Sequence, residues 1–227
     1  AYMFELSGGA YTFGNIHDAS NYSAFIGGRA FTATDNFFAS VVDVADDGTV
    51  IIGAISYDGL TPAVPENGLA FAAQYDTATN TFTISGAASV LSAGVGGGIR
   101  YGFDVDLSTT SAIVGSETGN RARIYDRAGA TLTLNTTLTG AGNFGAAVEI
   151  TDTRALVGAP TSGGIGAVFH YLPGSPWTAA PAPQTTNFTS TSAASGDQFG
   201  ASVAMDGAFI VVGAPFDDTG SVDAGSA

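Results

Sequence analysis

Apolar and polar residues alternate along this chain in short runs, and Gly, Asp, Asn or Thr fall between the runs. AYMFEL (1–6), GAYTFGNI (9–16), GLAFAAQY (68–75), NRARIY (120–125), ATLTLN (130–135) and IGAVFHY (165–171) all follow this rule. A period of two sends successive side chains to opposite faces, so each run predicts a short β-strand. NTFTISG (80–86) and SPWTAA (175–180) follow the same rule less regularly. The expected fold class is therefore all-β.

The runs recur in a fixed order, and internal repetition of this kind points to an array of like units. Phe144-Gly145-Ala146-Ala147-Val148 matches Phe199-Gly200-Ala201-Ser202-Val203. Tyr101-Gly102-Phe103-Asp104-Val105 is a looser copy, and Phe37-Phe38-Ala39-Ser40-Val41 keeps the aromatic without the Gly. Each is followed by a β-rich run ending at Gly53-Ala54, Gly115-Ser116, Gly158-Ala159-Pro160 or Gly213-Ala214-Pro215. The interval from aromatic to Gly is constant in the last three copies. It is two residues longer in the first, which carries the extended turn DVADDGT. The units span about 35–86, 98–135, 143–180 and 197–227, each reading as up to four antiparallel strands.

The fourth unit has only its first two strands before Gly225-Ser226-Ala227, while residues 1–16 read like a third and a fourth. We therefore expect the N-terminal strands to pair with strand 209–214 and complete that unit. One domain over 1–227 would then be a small β-propeller of four sheets closed by its own two ends. Radial packing covers the faces of such sheets and leaves only short edges.

The stretch FGASVAMDGAFIVVGAPFDDTGSVDAGSA resembles an FG-GAP repeat of the type found in bacterial surface proteins and, in related form, in the β-propeller head of integrin α chains. The resemblance extends to 143–171 and 98–125 and fades over 35–75. It implies structural roles for the motif: Phe144 and Phe199 wedged between blades, and Gly145 and Gly200 allowing close backbone approach. It further implies an extracellular, periplasmic or cell-surface interaction module. The usual propeller of the family has seven blades, where this chain has four units.

Composition agrees with this reading. The chain has 227 residues, 45% hydrophobic, 11% charged, with 32 Gly and no Cys. Many glycines suit many tight turns, and without Cys there is no disulfide. Lys and Arg number 6 against 20 Asp and Glu, for a net charge of −14. Such a field repels phosphate backbones and anionic lipid, so nucleic acid is not an expected partner. No apolar run is long enough for a membrane span. The absence of an initiator Met suggests a removed leader or a piece of a longer chain.

Candidate chemistry is sparse. Some FG-GAP proteins hold calcium in the first hairpin turn, and calcium needs six to eight oxygens. In DVADDGTVI, Asp43 and Asp47 match that array with Asp46 nearby, but Ala45 and Ile51 offer no side-chain oxygen. A solvated hairpin is the simpler reading of this turn. A second acidic set, Asp217, Asp218 and Asp223, follows the last Gly-Ala-Pro. Calcium is the one cofactor these sets suggest. Tyr57 with Asp58 and Phe216 with Asp217 place an aromatic beside an acid in corresponding loops, a pairing suited to a glycan or a protein partner. His17 and His170 have no ligand-like spacing, and no Ser sits in a Gly-x-Ser-x-Gly elbow. The sequence therefore predicts no catalytic residue and no enzyme. It predicts an adhesion or interaction module, or an accessory subunit of a larger or homo-oligomeric assembly. A glycan-binding propeller is the alternative.

Overall fold

The structure, a computed structural model, describes all residues except 1, 8–9, 17–37, 56–67, 85–89, 93–98, 173–186 and 193. Every strand pair joined in its sheets is antiparallel. A hairpin of β1 (Tyr2–Ser7) and β2 (Ala10–Ile16) comes first. The first sheet holds β3 (Phe38–Val44), β4 (Thr49–Ala54), β5 (Leu69–Asp76), β6 (Thr81–Thr83) and β7 (Val90–Leu91), with β6 and β7 both on β5. The second runs β8 (Tyr101–Leu107), β9 (Ser111–Ser116), β10 (Arg121–Ala128), β11 (Thr131–Thr139). The third has β12 (Ala147–Thr151), β13 (Arg154–Ala159) and β14 (Ala167–Tyr171), and the fourth β15 (Ser202–Asp206) and β16 (Phe209–Gly213). Among the described residues there is no α-helix, only a 3-10 turn at Ser162–Gly164.

The sheets stack in chain order because their second strands are apolar on both faces. All six residues of β4 and of β9 are buried, and so are the last five of β13. Ile51 faces the second sheet in a core with Tyr101, Val105 and Val114, while its neighbour Ile52 faces the other way, with Phe71. Ile113 packs toward the third sheet with Phe144, Val148 and Val157, and Leu156 toward the fourth with Met205. Each such side chain contributes about 1.5–3 kcal/mol on burial.

The motif glycines sit where sheets touch. A Cβ on Gly53, Gly115 or Gly158 would lie 2.2, 2.3 or 2.1 Å from the carbonyl oxygen of Gly102, Gly145 or Gly200 in the next sheet. Those three partners have φ of 80°, 94° and 92°, a left-handed backbone that Gly adopts without strain. Ala39, with φ 60°, holds the equivalent position in the first sheet. The ladder agrees, since Phe38 pairs with Ala54 as Tyr101 pairs with Ser116, each before the same bulge. The aromatic of the first copy is thus Phe38, one residue later than the sequence alignment placed it.

The joined fourth sheet expected from the sequence is not formed. β1 pairs with β2 alone, and β16 pairs with β15 alone. Met3 packs on the outer face of the first sheet, against the cluster of Ile52 and Phe71. An apolar face open on that side competes for the N-terminal hairpin, and face packing wins over edge pairing. The bridge Ala214↔Ser226 stands where Ala159↔Ala167 opens the third strand of the third sheet. Only that first pair is made. SPWTAA lies outside the described residues; instead Phe188 exchanges both backbone hydrogen bonds with Val168 on the outer edge of β14.

Candidate functional site: a ladder of carboxylates

The first strands of the four sheets come together around two hollows. One, of about 410 Å³, is lined by Ser40, Asp104, Ala147 and Ser202 among others. The other, of about 760 Å³, lies at the hairpin-turn end, between Val44, Leu107, Ile150 and Asp206. A strand at the edge of its own sheet presents unpaired N–H groups. Here, side chains of the preceding sheet accept them. The Leu107 N–H donates to Asp43 Oδ2 at 2.8 Å, and the Ile150 N–H to Asp106 Oδ2 at 2.6 Å. The Met205 N–H donates to Glu149. Asp104 accepts from Val148 N–H at 2.7 Å and from its own neighbour Val105 at 3.0 Å.

The three rungs are equivalent by register. Asp43 stands opposite Ile51, Asp106 opposite Ile113 and Glu149 opposite Leu156. In the fourth sheet that position, opposite Val211, is Ala204, so the ladder ends there. Burial lifts Asp104 above the ordinary carboxylate range, and the nearby charge of Asp43 adds to this. Burial likewise lifts Glu149, with Asp43 and Asp104 adding to it. Burial, together with the charges of Glu149 and Asp43, pushes Asp106 up to about 8 against the opposing Ile150 hydrogen bond.

Of the candidates read from the sequence, Asp43 belongs to this ladder. Asp46 is exposed in the β3–β4 turn. Asp47 accepts from Thr49 N–H at 2.9 Å and, through both oxygens, from Arg127 at 3.1 Å. Although its partial burial opposes ionisation, these two donors hold Asp47 below the usual range. Asp43 and Asp47 therefore serve different partners. Asp217 is buried, and its carboxylate takes the Thr219 hydroxyl, the Thr219 N–H at 2.7 Å and the Ser226 hydroxyl at 2.7 Å. The Thr219 hydroxyl is the main reason its carboxyl is held low. Asp218 accepts from the Asp223 N–H at 2.7 Å. Phe216 beside them is 44% exposed. Tyr57 and Asp58 lie outside the described residues. Among the described residues, no three acidic, His or Cys side chains converge as a metal site.

Sequence reasoning missed Asp104, Asp106 and Glu149. The signal was present as a recurring apolar–acid–apolar triplet in three first strands: Val42-Asp43-Val44, Val105-Asp106-Leu107 and Val148-Glu149-Ile150. Read singly, each acid passes for the solvent side of an alternating strand.

Compared with known families, residues 183–227 match the FG-GAP repeat. This segment is similar to an FG-GAP repeat. It contains β15, β16 and the Ala214–Ser226 bridge, with Gly200 N–H bonded to Gly213 O at 3.0 Å. The same FG-GAP contact recurs in the preceding sheet, where Gly145 N–H meets Gly158 O at 3.0 Å. No curated protein matches the chain. No helix among the described residues is long and apolar enough to cross a membrane.

Proposed function

We propose that this chain is an adhesion-type interaction module in which the stacked sheets are blades of a β-propeller. In this reading it works at the cell surface, outside the cell or in the periplasm, and it is not an enzyme. One observation carries the reading: the acids best placed for chemistry are spent on backbone amides between sheets. Raised carboxyl groups in a hollow often mark catalytic sites. Here Asp106 and Glu149 recur at one structural position, as a building element does, and among the described residues no nucleophile is hydrogen-bonded to either. The FG-GAP repeat at 183–227 supports the same class of module.

A panel of ester, peptide and glycoside substrates tests the non-enzymatic part. The expected result is no turnover above buffer. Turnover abolished by Asp106→Asn or Glu149→Gln would make the ladder a catalytic centre and end this reading. Saturable binding of the immobilised chain to a defined extracellular-matrix protein tests the adhesion part. Glycan-array binding lost on Phe216→Ala would favour the lectin alternative, since Phe216 is an exposed aromatic on a closed loop.

A further inference from the structure

We propose that this chain associates head to tail with a second copy, the β15–β16 pair of one copy and the β1–β2 hairpin of the next forming one composite sheet. The contact between successive sheets occurs three times within the chain, and the end sheets hold the two halves of a fourth. In each contact, one residue of a second strand shares a cluster with two residues of the next sheet's first strand. Ile51 takes Val105 and Leu107, Ile113 takes Val148 and Ile150, and Leu156 takes Val203 and Met205. By register, Val211 holds the place of Leu156, while Val42 and Val44 hold the places of Val203 and Met205. All three of these valines are exposed. The glycines repeat the pattern. Gly213 holds the place of Gly158, yet a Cβ on it would meet only Ser202 of its own sheet. Ala39 has the left-handed backbone of Gly200, the residue that Gly158 touches. This fourth contact needs only the stacking already described, continued into a second copy.

The two half-sheets also fit side by side. Met3 of the hairpin shares its cluster with Phe71 of β5 and Phe82 of β6, so the hairpin lies toward the later strands of the first sheet. The β3 side of that face stays open, with a hollow of about 170 Å³ between Met3, Val42, Val44 and Val50. Val211 of another copy would enter there and bring its β16 beside β1. The edge of β16 is ready for a third strand. Ala214 exchanges both backbone hydrogen bonds with Ser226, at 2.8 and 2.9 Å. Alternation puts the N–H and C=O of Val212 and Ile210 on the same edge, and among the described residues no strand takes them. FIVVG carries no charge and no Pro to blunt that edge, which leaves it a template for another strand. Residues 1–16 read as the third and fourth strands that this sheet lacks. Within one chain the first sheet holds the hairpin away from β16, so the strands come from the second copy. Ala204 supplies no carboxylate rung at this junction, which makes it weaker than the contacts inside the chain.

The experiment is the mass of the full chain in solution across concentration, by sedimentation, at about 0.15 M salt to screen the net charge of −14. Wild type should pass from one chain mass to two or more, since a head-to-tail contact pairs copies and can extend. Val211→Lys and Val44→Lys each place a charge on one half of the contact, and each variant alone should stay monomeric. Mixed together they should form a dimer and nothing larger, because each keeps the half that the other has lost. That rescue also shows that both variants are folded. A monomeric wild type, association that survives either substitution, or a mixture that stays monomeric overturns the proposal. Amide exchange in the wild-type chain gives a second reading that needs no variant. Between dilute and associated samples, exchange at Ile210 and Val212 should slow by about tenfold or more. Val211, whose amide faces β15, should change less. Equal slowing at all three sites, or none at Ile210 and Val212, would also overturn the composite sheet. No ligand enters either measurement, so the outcome is separate from that of the adhesion assay.

Discussion

The third and fourth sheets start from nearly the same words and end in different states. Phe144-Gly145-Ala146-Ala147-Val148 opens the third, and Phe199-Gly200-Ala201-Ser202-Val203 opens the fourth. Phe144 is fully buried, between Phe169 at 5.2 Å and Tyr171 at 6.5 Å, whereas Phe199 is partly exposed. RALVGA in β13 is buried almost throughout, whereas in FIVVG of β16 Phe209 is 79% and Val211 56% exposed. The difference lies in the neighbours. The third sheet has a sheet on each face and a third strand on its edge. The fourth packs one face on the third sheet, through Ile210 and Val212. A motif specifies its own backbone; burial needs something to pack against.

This comparison can be tested by paired substitutions. Phe144→Ala should cost about 3–5 kcal/mol, the loss expected of a fully enclosed ring. Phe199→Ala should cost about half as much, and equal losses in denaturant titrations would break the contrast. Next come the glycines. Gly158→Ala drives a methyl into the Gly200 carbonyl of the adjacent sheet and should cost about 2–3 kcal/mol. Gly213→Ala meets only the Ser202 hydroxyl, which can rotate away, and should cost less than about 1 kcal/mol.

A smaller effect lies in the ties between hairpin turns. Arg127 joins the first two sheets by an ion pair with Asp47, while Arg154 reaches the fourth sheet only at the Gly207 carbonyl. Half-exposure of Asp47 screens its pair, so Arg127→Met should cost only about 1 kcal/mol. Asp47 is held low, so its contribution is present above the unfolded carboxylate value and lost as pH falls below about 4. Asp47→Asn should remove that part of the acid sensitivity, as read by the thermal midpoint between about pH 3 and pH 5. Smallest of all, Val211→Thr on the uncovered face should change stability by less than about 0.5 kcal/mol. A larger loss would mean that this face is covered in solution.

The strands were legible because alternation and the Gly-small endings are local. GLAFAAQY, NRARIY and IGAVFHY became β5, β10 and β14 with small shifts at their ends. The ladder was not legible, because Asp43, Asp106 and Glu149 acquire a role only when the next sheet brings an unpaired N–H to each. Apart from Asp43, the acids chosen for calcium gathered in two turns. There the structure gives Asp47 to Arg127 and Thr49, and Asp217 to Thr219 and Ser226. Spacing along the chain showed that acids were near one another, but not which donors would claim them.

The sequence by itself determined the β class, the repeating unit and the places where only a very small residue fits. Each of these follows from backbone sterics and side-chain periodicity within a few residues. Tertiary structure decided which apolar face is covered, which carboxylate meets which amide, and where the N-terminal hairpin packs. Those outcomes depend on competition between surfaces far apart in the chain. For Met3, an open apolar face on the first sheet outweighed the hydrogen bonds of a distant strand edge, and no local pattern records that balance.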